Sequence, residues 1–172
     1  WSSAWVNFLL QEVGPYALSS LERFDFDQLD LYRFVYLPVS LVGKIEDRHR
    51  ALLESYVESG GTLILEGPTA NSLRCSGIRF SLKNKIFGSL SSLPAPMTPP
   101  PLAELLLRMP LKTLGWEIES REGDLEVLLE MEETPVFFKR SVGRGKVFTL
   151  GFDFGLLLVG LQQGMPVKGA YR

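Results

Sequence analysis

The chain has 172 residues, enough for one domain with a sizeable core, and its 45% hydrophobic and 22% charged shares are ordinary for a globular protein. Its 18 Lys and Arg against 20 Asp and Glu leave a formal charge of −2, which gives no electrostatic footprint for nucleic acid or an anionic membrane surface. Cys75 is the single cysteine, so an intrachain disulfide or a cysteine-based metal cluster is excluded, and no apolar run approaches the ~20 residues that span a bilayer.

The sequence opens at Trp1 without a methionine, which predicts a segment cut from a longer protein. Residues 3–13 place Trp5, Phe8, Leu9 and Val13 near helical spacing, with Ser2 or Ser3 as N-cap and Gly14-Pro15 as the stop. Residues 16–24 read as a strand, and residues 25–31 as a short helical turn or loop.

The most strongly patterned stretch is 32–71. Phe34-Val35-Tyr36-Leu37 is a short apolar run with aromatic and β-branched residues, closed by Pro38, which ends ladder pairing. Over residues 44–59, Ile45, Leu52, Leu53, Tyr56 and Val57 recur at helical spacing against a charged opposite face. Gly60-Gly61 supplies the stop. Thr62-Leu63-Ile64-Leu65 then runs apolar without alternation, as a strand covered on both faces does. Strand, helix, strand over about forty residues is a βαβ unit with a right-handed crossover.

Beyond it, residues 70–75 predict a short helix stopped by Gly77. Residues 80–101 are the weakest-patterned part: Ser89, Ser91 and Ser92 lead into Pro94, Pro96, Pro99, Pro100 and Pro101, which favours an irregular extended connection. A short helix is expected over 102–109. Strands follow at 116–120, 125–130, 136–140 and 146–152, the last two joined by a hairpin turn at Val142-Gly143-Arg144-Gly145. Residues 154–163 form an apolar helix closed by Gly164 and Pro166, with Asp153 as its N-cap. The expected fold is therefore α/β: a flavodoxin-like, three-layer, doubly wound sheet with a hairpin-rich C-terminal part, in a single domain over residues 1–172.

The stretch RALLESYVESGGTLILEG after a strand ending in LP resembles the class I glutamine amidotransferase-like superfamily. Its ending, PVFFKRSVGRGKVFTLGFDFGLLLVGLQQGMP, is similar to non-catalytic members attached to carbohydrate-active proteins, such as the β-galactosidase trimerisation domain and domains preceding polysaccharide deacetylases. The resemblance covers residues 7–166 and leaves 80–110 unaccounted for. It implies a flavodoxin-like fold, other domains of a parent protein and carbohydrate as partners, and an extracytoplasmic or cell-envelope location; a homo-oligomer is compatible with it. It implies no cofactor. Active members carry a G-x-C-x-G nucleophile elbow after the second strand of such a unit, and a downstream His-x-Glu completes the triad. Here that position falls at or near Glu66, Cys75 comes about nine residues too late, and His49, the only histidine, lies upstream. The family's triad cannot be assembled, so no glutaminase activity is expected.

The remaining candidates have bland readings that outweigh the sharp ones. Cys75, with Arg74 as its only local activating charge, is expected to be a buried structural thiol. His49, between Arg48 and Arg50, is expected on a solvated helix surface. Gly143-Arg144-Gly145-Lys146 lacks the spacing of a phosphate loop, and Asp153-Phe154-Gly155 lacks the companion motifs of a kinase. The acidic set Glu117, Glu119, Glu122, Asp124, Glu126, Glu130, Glu132 and Glu133 reads as a solvated sheet face, and one His with one Cys makes no metal site.

In a doubly wound sheet, ligands bind beyond the carboxyl ends of the strands. Pro38, Ser40, Glu66, Thr69 and Asn71 would line that crevice, where carboxylate, hydroxyl and amide groups suit sugar hydroxyls. The expected function is a non-catalytic accessory domain of a larger polysaccharide-related protein, for assembly or carbohydrate contact. The alternative is a cysteine-independent hydrolase or transferase with its site around Glu66. One expectation follows from the order of elements: a flavodoxin-like domain opens with a strand, whereas a helix is read first here. Either that strand lies upstream of Trp1, or residues 4–10 are the strand.

Overall fold

The computed structural model describes residues 19–92 and 112–162. The βαβ unit is present: β1 (Phe34–Leu37), α1 (Asp47–Glu58) and β2 (Thr62–Glu66), with β1 and β2 parallel and Leu37 opposite Leu65. Helix α1 starts later than the periodicity predicts, because Ile45 is buried in the loop before it. Its end is a double-bonded stop, with Gly60 N–H donating to Val57 O and Gly61 N–H to Tyr56 O, both at 2.9 Å.

The buried stripe of α1 is Leu53, Tyr56 and Val57, at i, i+3 and i+4. Leu52, grouped with these by spacing, is instead 37% exposed. One residue is a 100° rotation, and with Leu53 on the stripe its neighbour must turn outward. His49 also departs from expectation. Its ring stacks on Phe26 at 4.2 Å and 9°, and its Nδ1 is shielded from solvent without a hydrogen-bond partner. Phe26 belongs to a 3₁₀ turn, Phe26–Leu31, started by Asp25, whose carboxylate accepts from Asp27 N–H. That turn agrees with the reading of 25–31. The strand expected over 16–24 is not formed in its described part, where residues 21–23 make a turn.

After β2 come two 3₁₀ turns, Gly67–Ser72 and Arg74–Ser76, in place of one short helix, and Gly77 ends the second in the left-handed region. The irregular connection expected over 80–101 is not found in its described part, and residues 93–101 lie outside the described residues. Ile78–Phe87 is a ten-residue strand, β3, followed by β4 (Leu90–Ser92). A bulge hides this strand from a periodicity reading: Phe80 pairs with Ile118 but Asn84 with Trp116, so Ser81, Leu82 and Lys83 break the alternation. β5 (Thr113–Arg121), β6 (Glu126–Met131), β7 (Thr134–Val142), β8 (Gly145–Leu150) and α2 (Phe154–Gln162) complete the described elements. The helices expected over 3–13 and 102–109, the alternative strand over 4–10 and the closing Gly164 and Pro166 lie outside the described residues.

The six-stranded sheet has the order β1-β2-β8-β7-β6-β4, parallel from β1 to β8 and antiparallel from β8 to β4. β3 and β5 form a separate antiparallel ribbon. Each sheet face carries a core. Leu63, Leu65, Val147 and Phe138 pack with α1, Ile78, Phe80 and Trp116, while Val136, Leu150 and Met131 pack with Phe87, Phe152 and Leu157 of α2. This is the expected α/β, flavodoxin-like arrangement with a hairpin-rich C-terminal part. No helix of the described residues is long and apolar enough to cross a membrane.

Candidate functional site

The parallel strands β1, β2 and β8 all deliver their carboxyl ends to one edge of the sheet, since Leu37 faces Leu65 and Glu66 faces Leu150. The loops leaving that edge are the 3₁₀ turn Val39–Leu41, the turn Gly67–Ser72, and residues 151–153 entering α2. Glu66 stands at their meeting point and is only 3% exposed. Its Oε2 accepts from Val39 N–H at 3.0 Å and its Oε1 from Phe154 N–H at 2.9 Å. One carboxylate thereby caps both the turn after β1 and the first turn of α2. Burial pushes this carboxyl above its ordinary 4.5 and the Asp153 carboxylate adds to the rise, while the two amides and the side chain of Tyr36 oppose it. Asp153 caps α2 itself, its Oδ1 accepting from Leu156 N–H at 2.7 Å.

The other expected site residues divide by use. Thr69 is fully buried and donates through Oγ1 to Pro38 O at 2.9 Å, so these two join the Glu66 cluster. Asn71 is turned elsewhere. Its side-chain amide meets the backbone of Phe80 twice, donating to the carbonyl and accepting from the N–H, both at 2.8 Å. It acts there as a one-residue strand partner for β3. Ser40 is exposed on the turn after β1.

The sharp turn after β2 is at residue 67, one position beyond Glu66. Glu66 keeps an extended backbone (φ −111°, ψ 122°), and Gly67 takes φ +52°. A nucleophile elbow requires a reactive side chain on such a turn. Here a Cβ on Gly67 would stand 2.5 Å from Trp116 Cε3, because the indole of Trp116 covers that position. Cys75 lies in the next turn, 7% exposed, with its thiol pushed up to about 12, chiefly by burial and then by the Glu54 charge. It is a structural thiol, and its carbonyl, with that of Arg74, receives the Arg140 guanidinium.

Sequence reasoning does not single out Tyr36, Trp116, Asp153 and Phe154 as partners of Glu66 and Gly67. A signal exists for two of them: once Asp153 is read as the cap after a strand parallel to β2, the start of α2 must fall beside Glu66. Trp116 gives no such signal, since it arrives from the β3–β5 ribbon. Among the described residues no group of three or more His, Cys, Asp or Glu could hold a metal ion. The members of the acidic set are exposed, apart from the half-buried Glu130 on β6. An open recess lined by Asp124, Leu125, Glu126, Lys139 and Ser141 shares no residue with the Glu66 cluster.

No protein-family profile matches the sequence, and no curated protein sequence matches it either. Solved structures do match in shape. The chain is similar to a ThuA-like protein from Bacteroides uniformis, with a TM-score of 0.59, 16% identity and coverage of 92% of this chain and 80% of that one. It is similar to a Salmonella typhimurium protein described as cytoplasmic, STM3548 (TM-score 0.55, 14% identity, 81% and 74% covered). It is also similar to part of a β-galactosidase from Bacillus circulans, with a TM-score of 0.52, 19% identity and 80% of this chain covered. The match spans only 23% of that enzyme and 21% of a GH42 β-galactosidase from G. stearothermophilus. At these identities the likeness is one of fold, and the fold is the α/β architecture that the sequence resemblance implies.

Proposed function

We propose that this chain is a non-catalytic accessory domain of a larger polysaccharide-related protein, used for assembly or carbohydrate contact. The observation that carries the reading is the state of the turn after β2. Where amidotransferase chemistry would need a side-chain nucleophile, the chain has Gly67 under the Trp116 ring, and the adjacent Glu66 is committed to two backbone amides. Similarity in shape to roughly a fifth of two β-galactosidases supports a role as one unit within a longer carbohydrate-active chain. We assign the carbohydrate contact to the edge at the carboxyl ends of β1 and β2 through Pro38 and the exposed Ser40, with Glu66 and Thr69 buried beneath them and Asn71 turned to β3.

A second reading draws on one observation. Glu66 and Asp153 are two carboxylates close enough to influence one another, and such pairs supply general acid and base in hydrolases. It gives the cysteine-independent hydrolase or transferase. One experiment separates the two: the chain is assayed for ammonia release from glutamine and reducing-sugar release from β-galactan and β-mannan, and run through gels containing those polysaccharides. Retardation without turnover is expected, and weakened by Ser40→Trp. Turnover abolished by Glu66→Gln would establish the enzyme, and neither retardation nor self-association in light scattering would remove the accessory reading.

A further inference from the structure

Among the described residues β1, β3, β4 and β5 each have a strand partner on one side only. An open edge presents a row of backbone N–H and C=O groups that pairs with any extended chain, so natural sheets break such rows with bulges, charges or cover. Three of the four edges are broken in this way. β4 is three residues long and shifts register between Leu90 and Ser92. β3 carries the bulge after Phe80 and the charges of Arg79, Lys83 and Lys85. β5 is covered by residues 151–153, where Trp116 N–H donates to Gly151 O and Asp153 N–H to Leu114 O, and further on it carries Glu117, Glu119 and Arg121. β1 has none of these devices. Phe34-Val35-Tyr36-Leu37 is uncharged, lacks proline and keeps an unbroken register against β2. Phe34 is 38% exposed on it, and Leu31 is 71% exposed just ahead of it.

We propose that the open edge of β1 is the surface through which two copies of this chain assemble, by antiparallel β1–β1 pairing about a two-fold axis at Val35. This rests on the assembly half of the accessory-domain reading. The occupant must be an extended backbone, since only that meets a row of strand donors and acceptors. β1 is its own complement. Directly opposed residues share a face of the sheet, so a two-fold normal to the sheet passes through a residue and never between two. Val35 and Tyr36 are the central residues. An axis at Tyr36 would set Phe34 against Pro38, which has no N–H to donate. An axis at Val35 sets Phe34 of each copy against Tyr36 of the other, an aromatic cross-strand pair, while Val35 and Leu37 of both copies stay on the face that packs with α1. Arg33, the nearest charge, then falls opposite Leu37, and the two Arg33 side chains stand at opposite ends of the seam, so no like charges meet. The two six-stranded sheets become one. A seam of four residues a side is small against the ~1,600 Å² of a standard interface, which makes the dimer weak and concentration-dependent.

The test is sedimentation of the intact chain from about 1 μM to about 1 mM, with hydrogen exchange of the β1 amides at both ends of that range. A monomer–dimer equilibrium is expected, with β1 protection rising as the dimer fraction rises while the amides of β7 stay unchanged. Phe34→Lys, a change at an exposed position, should raise the dissociation constant about tenfold or more. Leu82→Lys and Ile86→Lys, at residues 75% and 59% exposed on the β3–β5 ribbon, should leave it unchanged. Val35→Cys should form a disulfide-linked dimer on mild oxidation, because the axis sets the two Cβ atoms about 5 Å apart, near the ~4 Å that a disulfide spans. No such link overturns the register and with it the proposal. Dimers that persist in Phe34→Lys, or that are lost in Leu82→Lys, overturn it too, and leave the accessory reading standing with its assembly surface elsewhere. A chain that is monomeric throughout overturns it, and retention by polysaccharide gels then decides the accessory reading separately. Should Phe34→Lys not fold, exchange in the unmutated chain decides: β1 protection independent of concentration overturns the proposal and marks a strand of the same polypeptide as the occupant.

Discussion

Trp116 and a side chain at residue 67 are mutually exclusive occupants of one volume: a Cβ on Gly67 would lie 2.5 Å from Trp116 Cε3 and 2.6 Å from Cζ3. The backbone there is also left-handed, at φ +52°. Gly67→Ala should therefore cost ~2–4 kcal/mol in urea unfolding, combining overpacking with the penalty for a non-glycine left-handed residue. In a Trp116→Leu background the same substitution should cost only ~1–2 kcal/mol, because the conformational part alone remains. Equal costs in both backgrounds would disprove the steric exclusion. Gly67→Cys should give no ammonia from glutamine, since the new thiol has no room.

Helix α1 offers a test that two neighbours can be told apart. Leu53, 1% exposed, should cost ~2–5 kcal/mol on truncation to alanine, whereas Leu52→Ala should stay within ~1 kcal/mol. His49→Ala removes a ring stacked on Phe26 and should cost ~1 kcal/mol, beyond the range of a surface change. Thermal and urea midpoints of the three variants decide the order.

Cys75 should resist labelling. With the thiol buried and pushed up to about 12, almost none is thiolate at pH 8, so reaction with a disulfide reagent should be slow in the folded chain and fast in urea. Rapid stoichiometric labelling of the native chain would contradict the packing around it.

The pH dependence of global stability has a definite sign at Glu66. Its folded pKa lies above 4.5, so its stabilising contribution is complete below about 4.5 and is lost as pH rises through the folded value. Between pH 5 and pH 7.5 the stability difference between the unmutated chain and Glu66→Gln should shrink as pH rises. A difference that grows with pH would invert the assignment. Glu66→Ala should be the more damaging variant, because it leaves the Val39 and Phe154 amides without their acceptor, at ~1–3 kcal/mol for each buried amide.

The β6–β7 hairpin should accept improvement. Its turn places Glu132 at φ 48° and Glu133 at φ 60°, the left-handed pair that Asn-Gly normally supplies. Glu132 is held by its own contacts, accepting from Gly88 N–H at 2.7 Å and facing Lys85. Glu133 is tied through its backbone N–H, which donates to Ser91 Oγ. Glu133→Gly should therefore stabilise the chain by about 1 kcal/mol, read from the urea midpoint.

What the sequence discloses follows from periodicity and punctuation. Phe34 to Pro38, the stripe ending at Val57, the double glycine and Thr62 to Leu65 specify the βαβ unit, and Asp153 specifies the start of α2. β3 stays hidden because its bulge sets Ser81, Leu82 and Lys83 opposite the single residue Glu117, and these two extra residues interrupt the regular ladder that a period-two reading assumes. Leu52 is misplaced by spacing alone because two adjacent leucines satisfy the same pattern until packing fixes the helix phase. At the site, the residue types are legible but their obligations are not. Glu66 can be placed at a strand end from sequence, yet the binding of its oxygens to residues 39 and 154 depends on contacts spanning most of the described chain.

The parallel seam between β2 and β8 sets the order in which this chain can fold. Thr62 faces Lys146 across it, a closure over roughly eighty residues whose entropic cost greatly exceeds that of the neighbouring hairpin. The hairpin of β7 and β8 closes through a two-residue turn, Gly143-Arg144, so it forms locally and early. Joining it to the βαβ unit is then the late, high-contact-order event. The joint leaves no spare room, since a Cβ on Gly145 would meet the Val57 carbonyl at 2.1 Å and the Gly61 carbonyl at 2.3 Å. Substitutions at Gly145 should consequently slow refolding, whereas weakening α2 through Leu157 should mainly hasten unfolding. That late joint closes at the C-terminal end of α1, at the opposite end of β2 from the carboxylate that holds its upper edge.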